Sequence, residues 1–182
     1  MNINVYTEST PNPATMKFIV NKLLINGSVD YATKESAEKS PFAKELYKFS
    51  FVNGVFFASN FVTVTKTEGS EWGDLEPILK EFVKGAVESE LAVQLKEQEE
   101  VVFEGTDAEI KIQQILQDYV RPAVEQDGGA ITYKSFNEGV VTVELRGSCS
   151  GCPSSTITLK SGIENLLKRM VPEVTEVVSE AM

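Results

Sequence analysis

An acidic segment, residues 97–106, limits this 182-residue chain to two small domains rather than one large core. The segment reads EQEEVVFEGT, contains four glutamates and shows no apolar periodicity. This pattern predicts a linker, although Val101–Phe103 is apolar enough to form a short strand or to dock on a neighbour. We therefore expect one domain over residues 1–96 and another over residues 107–182.

The first part combines strand and helix patterns. Thr10-Pro11-Asn12-Pro13 is typical of a turn, and Pro41 suits the first position of a helix. One long helix pattern carries an apolar stripe that we interpret as core packing. The stripe comprises Leu75, Ile78, Leu79, Phe82, Val83, Ala86 and Val87. Strands are predicted near 3–7, 17–24, 49–57 and 61–67, and helices at 41–47 and 74–95. An antiparallel sheet with helices is the expected class.

The second part predicts the order helix, strand, strand, helix, strand. Thr106 and Glu109 have the spacing of a capping box for a helix that reaches Gln126, with Pro122 kinking or interrupting it. The expected buried face is Ile112, Ile115, Leu116, Tyr119, Val120 and Ala123. A hairpin of strands 130–136 and 139–146 turns at Asn137-Glu138, and a helix 154–170 and a strand 174–178 follow. The whole chain is thus predicted to be α+β.

Two cysteines, Cys149 and Cys152, are the only ones in the chain, and histidine is absent. Without histidine, no Ser-His or Cys-His catalytic pair is possible, and no acidic pair is marked by its spacing, so we do not expect an enzyme. Two thiolates three residues apart are good ligands for a soft metal. A closed zinc site or a cubane iron–sulfur cluster generally takes four ligands, so one chain supplies half of such a site. Two chains related by a twofold axis would complete it.

The loop around the cysteines favours an anionic centre. Pro153 fits the first position of the following helix, which places Cys152 near the helix amino terminus, where thiolate is favoured over thiol. Gly147 and Gly151 allow turns that aim backbone N–H groups at sulfur. Asp127-Gly128-Gly129 is interpreted only as a helix stop and the entry to the hairpin.

The net charge of −10 argues against nucleic acid or an anionic membrane surface as a partner. The first residues lack the pattern of a secretory signal or an organelle transit peptide, and no apolar run approaches the ~20 residues of a membrane span. These features predict a cytoplasmic protein, in which a pair of cysteines is more often metal-binding or redox-active than a structural disulfide.

The chain resembles the NifU-like (Nfu) family of iron–sulfur carrier proteins over nearly its whole length. The resemblance rests on residues 124–129, 147–155 and 171–174 in the second part. In the first part it rests on TPNP at 10–13, SPFA at 40–43 and NFVTVTK at 60–66. It implies a [4Fe–4S] cluster bound between two subunits through Cys149 and Cys152 and delivered to apo-proteins. It also implies an upstream scaffold as the cluster's source.

Two other functions fit the same cysteine motif. One is a dithiol–disulfide redox protein, although proline here follows both cysteines rather than lying between them. The other is a zinc-bridged interaction module, since thiolates bind zinc well. The sequence alone does not select the clients, the cluster donor, the cluster type or the role of the first domain.

Overall fold

A computed structural model describes residues 2–93, 103–149 and 153–180 of the chain, with side chains of the last helix described from residue 157. The chain forms two compact units that meet in sequence between Gln98 and Glu99. Most of the predicted linker, 97–106, lies outside the described residues, so its bounds remain a prediction. Both units combine sheet and helix, which confirms the α+β class.

The first unit is a five-stranded sheet with the order β1-β2-β5-β4-β3, in which every neighbouring pair is antiparallel. Its strands are β1 (Val5–Ser9), β2 (Thr15–Val20), β3 (Ser28–Tyr31), β4 (Val52–Ala58) and β5 (Phe61–Lys66). Its helices are a 3₁₀ turn (Ser36–Lys39), α1 (Pro41–Leu46) and α2 (Trp72–Glu88).

Helices α1 and α2 pack on one face of this sheet. Phe42 of α1 and Leu79 and Val83 of α2 share a core with Phe57 and Val62 of the central strands. The start of α1 is set by its sequence, because the Ser40 hydroxyl accepts a hydrogen bond from the Ala43 N–H and Pro41 needs no partner for a missing N–H.

The first unit differs from expectation in several places, among them β2, which ends at Val20 rather than at residue 24, and β4, which begins at Val52 rather than at residue 49. Strand β3 was not predicted, since its four residues carry no clear alternation. Helix α2 begins at Trp72 and ends at Glu88 rather than running from 74 to 95, and Glu90 has a left-handed φ of 56°. Ile78, expected in the apolar stripe, is 48% exposed, because it lies at the edge of the face that packs on the sheet.

The second unit follows the predicted order of elements. A helical run consists of α3 (Asp107–Ile115), a π-helical turn (Leu116–Val120) and α4 (Arg121–Gln126). Strands β6 (Gly129–Asn137) and β7 (Val140–Gly147) form an antiparallel hairpin, α5 (Pro153–Met170) follows, and β8 (Glu176–Glu180) pairs parallel to β7. The capping box is present, with Thr106 and Glu109 each bonded to the other's backbone N–H.

The π-helical turn explains why Tyr119 and Ala123 are not buried as predicted. Pro122 cannot donate a hydrogen bond and crowds the preceding turn, and the chain accommodates it with one wider turn instead of a break. The extra residue shifts the inward face by one position. Val124 is therefore buried in place of Ala123, and Tyr119 is 61% exposed, whereas Val120 is buried as predicted.

The hairpin turn also lies one residue later than predicted. Asn137 pairs with Val140, which leaves Glu138 and Gly139 as the two turn residues. Both have positive φ, 49° and 85°, as a type I′ turn requires. In neither unit is any described helix long and apolar enough to cross a membrane.

Candidate functional site

The first predicted ligand, Cys149, lies two residues beyond the end of β7. Gly147 closes the strand with a left-handed φ of 67°, which turns the chain away from the sheet. Cys149 is 5% exposed and belongs to the core cluster that includes Ile112, Val124 and Leu145. Its sulfur is thus held at the margin of a packed core, largely shielded from bulk water.

The turn that follows α4 is tied directly to this loop. Ser148 donates twice to the turn, from its N–H to the Gly128 carbonyl at 3.3 Å and from its hydroxyl to the Asp127 carbonyl. Gly128 ends the helix with a φ of 82°, as expected of a glycine at a helix stop. The turn therefore fixes the residue next to Cys149, a role beyond the helix stop that we predicted.

Gly129 has a second role that sequence reasoning missed. A β-carbon placed on Gly129 would lie 2.7 Å from the Cys149 sulfur and 2.6 Å from the Arg146 carbonyl oxygen. Both distances are shorter than real contacts allow, so only glycine lets the sulfur occupy its position. The sequence did contain a hint of this role. One glycine with a left-handed φ is enough to end a helix, so the second glycine of the pair, Gly129, needed another explanation.

The second predicted ligand, Cys152, lies outside the described residues, together with Ser150 and Gly151. Helix α5 begins at Pro153, as predicted, so its amino terminus follows directly on the cysteine motif. Among the residues described, no three cysteine, aspartate or glutamate side chains are grouped so as to hold a metal ion. The assignment of both cysteines as ligands remains a prediction.

A charged cluster lies on β6 and β7, just before the loop. The Glu144 side chain, 4% exposed, lies 2.7 Å from the Lys134 ammonium and 3.0 Å from the Arg146 guanidinium. The hydrogen bond from Arg146 is the main reason why the pKa of Glu144 lies below its usual range, and the bond from Lys134 adds to it. This cluster anchors the strand end that leads into Gly147 and Cys149.

A second polar contact ties the start of α3 to the sheet. The Tyr133 hydroxyl donates to the Glu109 carboxylate at 2.9 Å. Burial, with this hydrogen bond, raises the pKa of Tyr133 to about 12. Hydrogen bonds from Thr106, first from its backbone and then from its hydroxyl, lower the pKa of Glu109. Glu109, which belongs to the capping box of α3, therefore also binds Tyr133 of β6, the strand on which Gly129 lies.

Comparison with known families assigns both units. Residues 5–90 match the model described as scaffold protein Nfu/NifU N terminal, and residues 112–178 match the NifU-like domain. These two matches fall on the two structural units and define a protein of the NifU-like class.

Several curated relatives align with almost the whole chain. The human NFU1 iron-sulfur cluster scaffold homolog is 38% identical over 175 residues, covering 93% of this chain and 69% of the human protein. NifU-like protein 4 of Arabidopsis thaliana is 40% identical over 185 residues, covering 97% of this chain and 65% of that protein. The NFU1 homolog of Drosophila erecta is 35% identical over 179 residues, covering 95% of this chain. The chain belongs to the NifU-like (Nfu) family.

The same relatives overturn the predicted cytoplasmic location. The human, Arabidopsis and Drosophila proteins are all named as mitochondrial, which points to the mitochondrion instead. The prediction relied on the first residues of the sequence. The chain spans 63% of the length of the Drosophila relative, so these residues are not a sound basis for a location.

Proposed function

We propose that this protein is an iron–sulfur cluster carrier rather than an enzyme. In this proposal two chains hold one [4Fe–4S] cluster between them through Cys149 and Cys152 of each, and they transfer it to apo-proteins after receiving it from an upstream scaffold. The relatives named as iron-sulfur cluster scaffolds support the general role. The ligand set, the cluster type, the homodimer and the transfer are our inferences.

The number of cysteines carries the proposal. A cubane cluster is held by four thiolates in its common form, and each chain has two cysteines and no histidine. Two copies related by a twofold axis supply the four sulfurs with equivalent surroundings. The same count disfavours a site within one chain, because the sequence has no third cysteine and no histidine to complete four thiolate or imidazole ligands.

The surroundings of Cys149 fit a cluster ligand. The sulfur is shielded from bulk water, and a dry environment is one of the factors that set the stability and potential of a metal centre. The Ser148 hydroxyl lies 3.9 Å from it, and Gly129 leaves room for it because a β-carbon there would lie 2.7 Å from the sulfur. The loop leads directly into the amino terminus of α5, whose dipole favours an anionic group.

Transfer in this arrangement is an exchange of ligands. A thiolate of the acceptor protein binds one iron atom, the iron–sulfur bond to one carrier cysteine breaks, and that cysteine takes up the proton released by the acceptor thiol. Repeating this step at the remaining cysteines moves the cluster without changing the oxidation state of iron. Because each chain contributes only two iron–sulfur bonds, a single chain no longer binds the cluster once the dimer separates.

Anaerobic reconstitution with iron and sulfide tests the proposal. The wild-type chain should bind about half a cubane per subunit, as four shared thiolates require, and Cys149→Ser and Cys152→Ser should each retain none. A matched control is the double variant Cys149→Ser/Ser50→Cys, which keeps two thiols but moves one to an exposed turn in the first unit. It should also fail to hold the cluster.

Other outcomes would replace the proposal with one of its alternatives. Colourless protein that retains zinc through both cysteines would indicate a zinc-bridged module. A reversible disulfide between the two cysteines, with reductase turnover and no cluster, would indicate a redox protein. Retention of the cluster by either single-cysteine variant would contradict the ligand assignment itself.

A further inference from the structure

Strand β1 lies at one edge of the five-stranded sheet of the first unit. It pairs with β2 on one side, and in the part of the chain that the structure describes no strand pairs with its other side. Edge strands are commonly protected against further pairing by proline, lysine or a β-bulge. Strand β1 reads VYTES and pairs with β2 without a shift in register, so it has none of these protections. Its outer side is therefore open to another strand.

Two hydrogen bonds of Val20 show which backbone groups of β1 point outward. The Val20 N–H donates to the Asn60 carbonyl at 2.8 Å, and the Val20 carbonyl accepts from the Asn60 side-chain amide at 3.0 Å. Both groups thus point toward β5 and away from β1, so Val20 and Val5, which lie opposite each other, form a non-hydrogen-bonded pair. The N–H and C=O groups of Val5 accordingly point to the outer side of the sheet, and those of Thr7, two residues later, do the same.

A groove with a volume of about 440 Å³ lies between the beginning of β1 and helix α2. This volume falls within the range of roughly 300–1,000 Å³ that is typical of ligand sites. The Thr7 hydroxyl donates to the Glu76 carboxylate at 2.5 Å, which fixes the first part of α2 beside the strand. The groove is lined by residues 3–6 on the strand side and by Pro77, Lys80, Glu81 and Lys84 on the helix side.

The helix wall of this groove is positively charged, although the chain as a whole has a net charge of −10. Lys80 and Lys84 outnumber the acidic lining residue, Glu81, and neither lysine forms an ion pair with a described residue. The two lysines are separated by about 6 Å along the helix axis. Alternate residues of an extended strand are separated by about 6.8 Å. Two acidic side chains with one residue between them therefore match the spacing of the two lysines.

Tyr6 indicates which residue type belongs between the two acidic ones. The Val5 side chain joins the core under α2, so the Tyr6 side chain points to the opposite face of the sheet, where it is 61% exposed. In a strand added beside β1, side chains would alternate between the α2 side and the Tyr6 side. An apolar β-branched residue next to the Tyr6 ring would form a favourable cross-strand pair.

We propose that the groove between β1 and α2 binds an extended segment of a partner protein, which adds to β1 as a sixth strand. The segment has two acidic residues separated by one apolar residue, and its carboxylates pair with Lys80 and Lys84. Hydrogen bonds to the outward backbone groups of Val5 and Thr7 supply affinity, and the alternating side chains supply specificity. The first unit, which has no cysteine, thereby recognises partners by a site that is independent of cluster binding.

Fluorescence anisotropy with a labelled, capped peptide, Ser-Thr-Glu-Val-Glu-Thr-Ser, tests the charges of the site on the full chain. Lys80→Glu/Lys84→Glu should raise the Kd about tenfold, because two partly exposed ion pairs are lost. The same variant should bind the peptide that has lysine in place of both glutamates more tightly than the wild type does. Lys44→Glu/Lys48→Glu is the control, because these lysines have the same spacing and pair with glutamates outside the groove. It should leave the Kd unchanged at physiological ionic strength.

NMR spectroscopy of the full chain with the same peptide tests the addition of a strand. The amides of Val5 and Thr7 should shift and exchange more slowly with water when the peptide binds, because their N–H groups gain acceptors. The amides of Tyr6 and Glu8 already point toward β2 and should change little. Two further peptides carry an N-methyl group either on the valine or on the following glutamate. Only one of the two N–H groups faces β1, so one methylated peptide should bind and the other should not.

Three results would overturn the proposal. Equal binding of both methylated peptides, or shifts confined to α2, would show that the peptide binds by charge without adding a strand. An unchanged Kd for Lys80→Glu/Lys84→Glu would show that the lysines do not contact the peptide. A peptide-free chain that sediments as a dimer and already protects the Val5 and Thr7 amides would show that a second copy occupies the edge. None of these measurements involves the cluster, so they leave the proposed carrier function untouched.

Discussion

Gly129→Ala is the most direct test of how the fold positions Cys149. The new methyl group would lie 2.7 Å from the Cys149 sulfur and 2.6 Å from the Arg146 carbonyl, and the second of these is backbone, which cannot rotate away. We expect the second unit to lose about 1–3 kcal/mol of its free energy of unfolding, the usual cost of overpacking. Because the sulfur must move, cluster loading should fall as well.

Gly162→Ala on α5 is the matched control. Nothing lies within 4 Å of a β-carbon at that position, so alanine should stabilise the helix by roughly 0.5–1 kcal/mol. The chain has one tryptophan, Trp72, in the first unit. Urea unfolding followed by its fluorescence therefore reports on the first unit, whereas circular dichroism reports on both. If Gly129→Ala unfolds at the same urea concentration as Gly162→Ala and binds as much cluster, a side chain at position 129 does not displace the Cys149 sulfur.

Three further predictions concern the second unit. Thr106→Ala should cost about 1 kcal/mol in urea unfolding, because it removes the hydroxyl of the capping box, and an unchanged midpoint would contradict this. Glu138→Asn should stabilise the same unit by up to about 1 kcal/mol, because asparagine tolerates the left-handed φ of 49° better than glutamate, and a lower midpoint would argue against the type I′ turn. The pKa of Glu144 is lowered on folding, so its contribution is complete above the unfolded value of about 4.3 and is lost as the pH falls through the lower folded value. Glu144→Gln should therefore flatten the loss of stability in acid, and an unchanged pH dependence would count against the ion cluster.

Local patterns predicted most elements of the fold. The capping residues Thr106 and Glu109, the proline that begins α5 and the alternation of Val141, Val143 and Leu145 each act within a few residues, so the sequence alone displays them. The wrong predictions concern residues whose burial depends on contacts far away in the sequence or on small changes in helix geometry that add up along the chain. Tyr119 is exposed because Pro122 imposes one wide turn, which rotates the buried face of the helix. A regular repeat of 3.6 residues, on which the prediction was based, does not include such a turn.

The candidate site was only partly predictable for a similar reason. Cys149 and Cys152 are evident from their spacing, but the need for glycine at position 129 depends on a contact across 20 residues of chain between the positions of Gly129 and Cys149. Strand β3 shows the same limitation, since its pairing with β4 rather than its own composition makes it a strand. The location was predicted incorrectly because it was inferred from the pattern of the first residues and from the lack of an apolar run long enough to span a membrane.

Native mass spectrometry of the anaerobically reconstituted protein measures how many chains hold each cluster. We expect the cluster-bound species to be a dimer with one [4Fe–4S] unit per two chains, and removal of the cluster to weaken the dimer or return it to single chains. A monomer that carries a complete cubane anchored only by its own residues would show that the cluster is not shared between two chains.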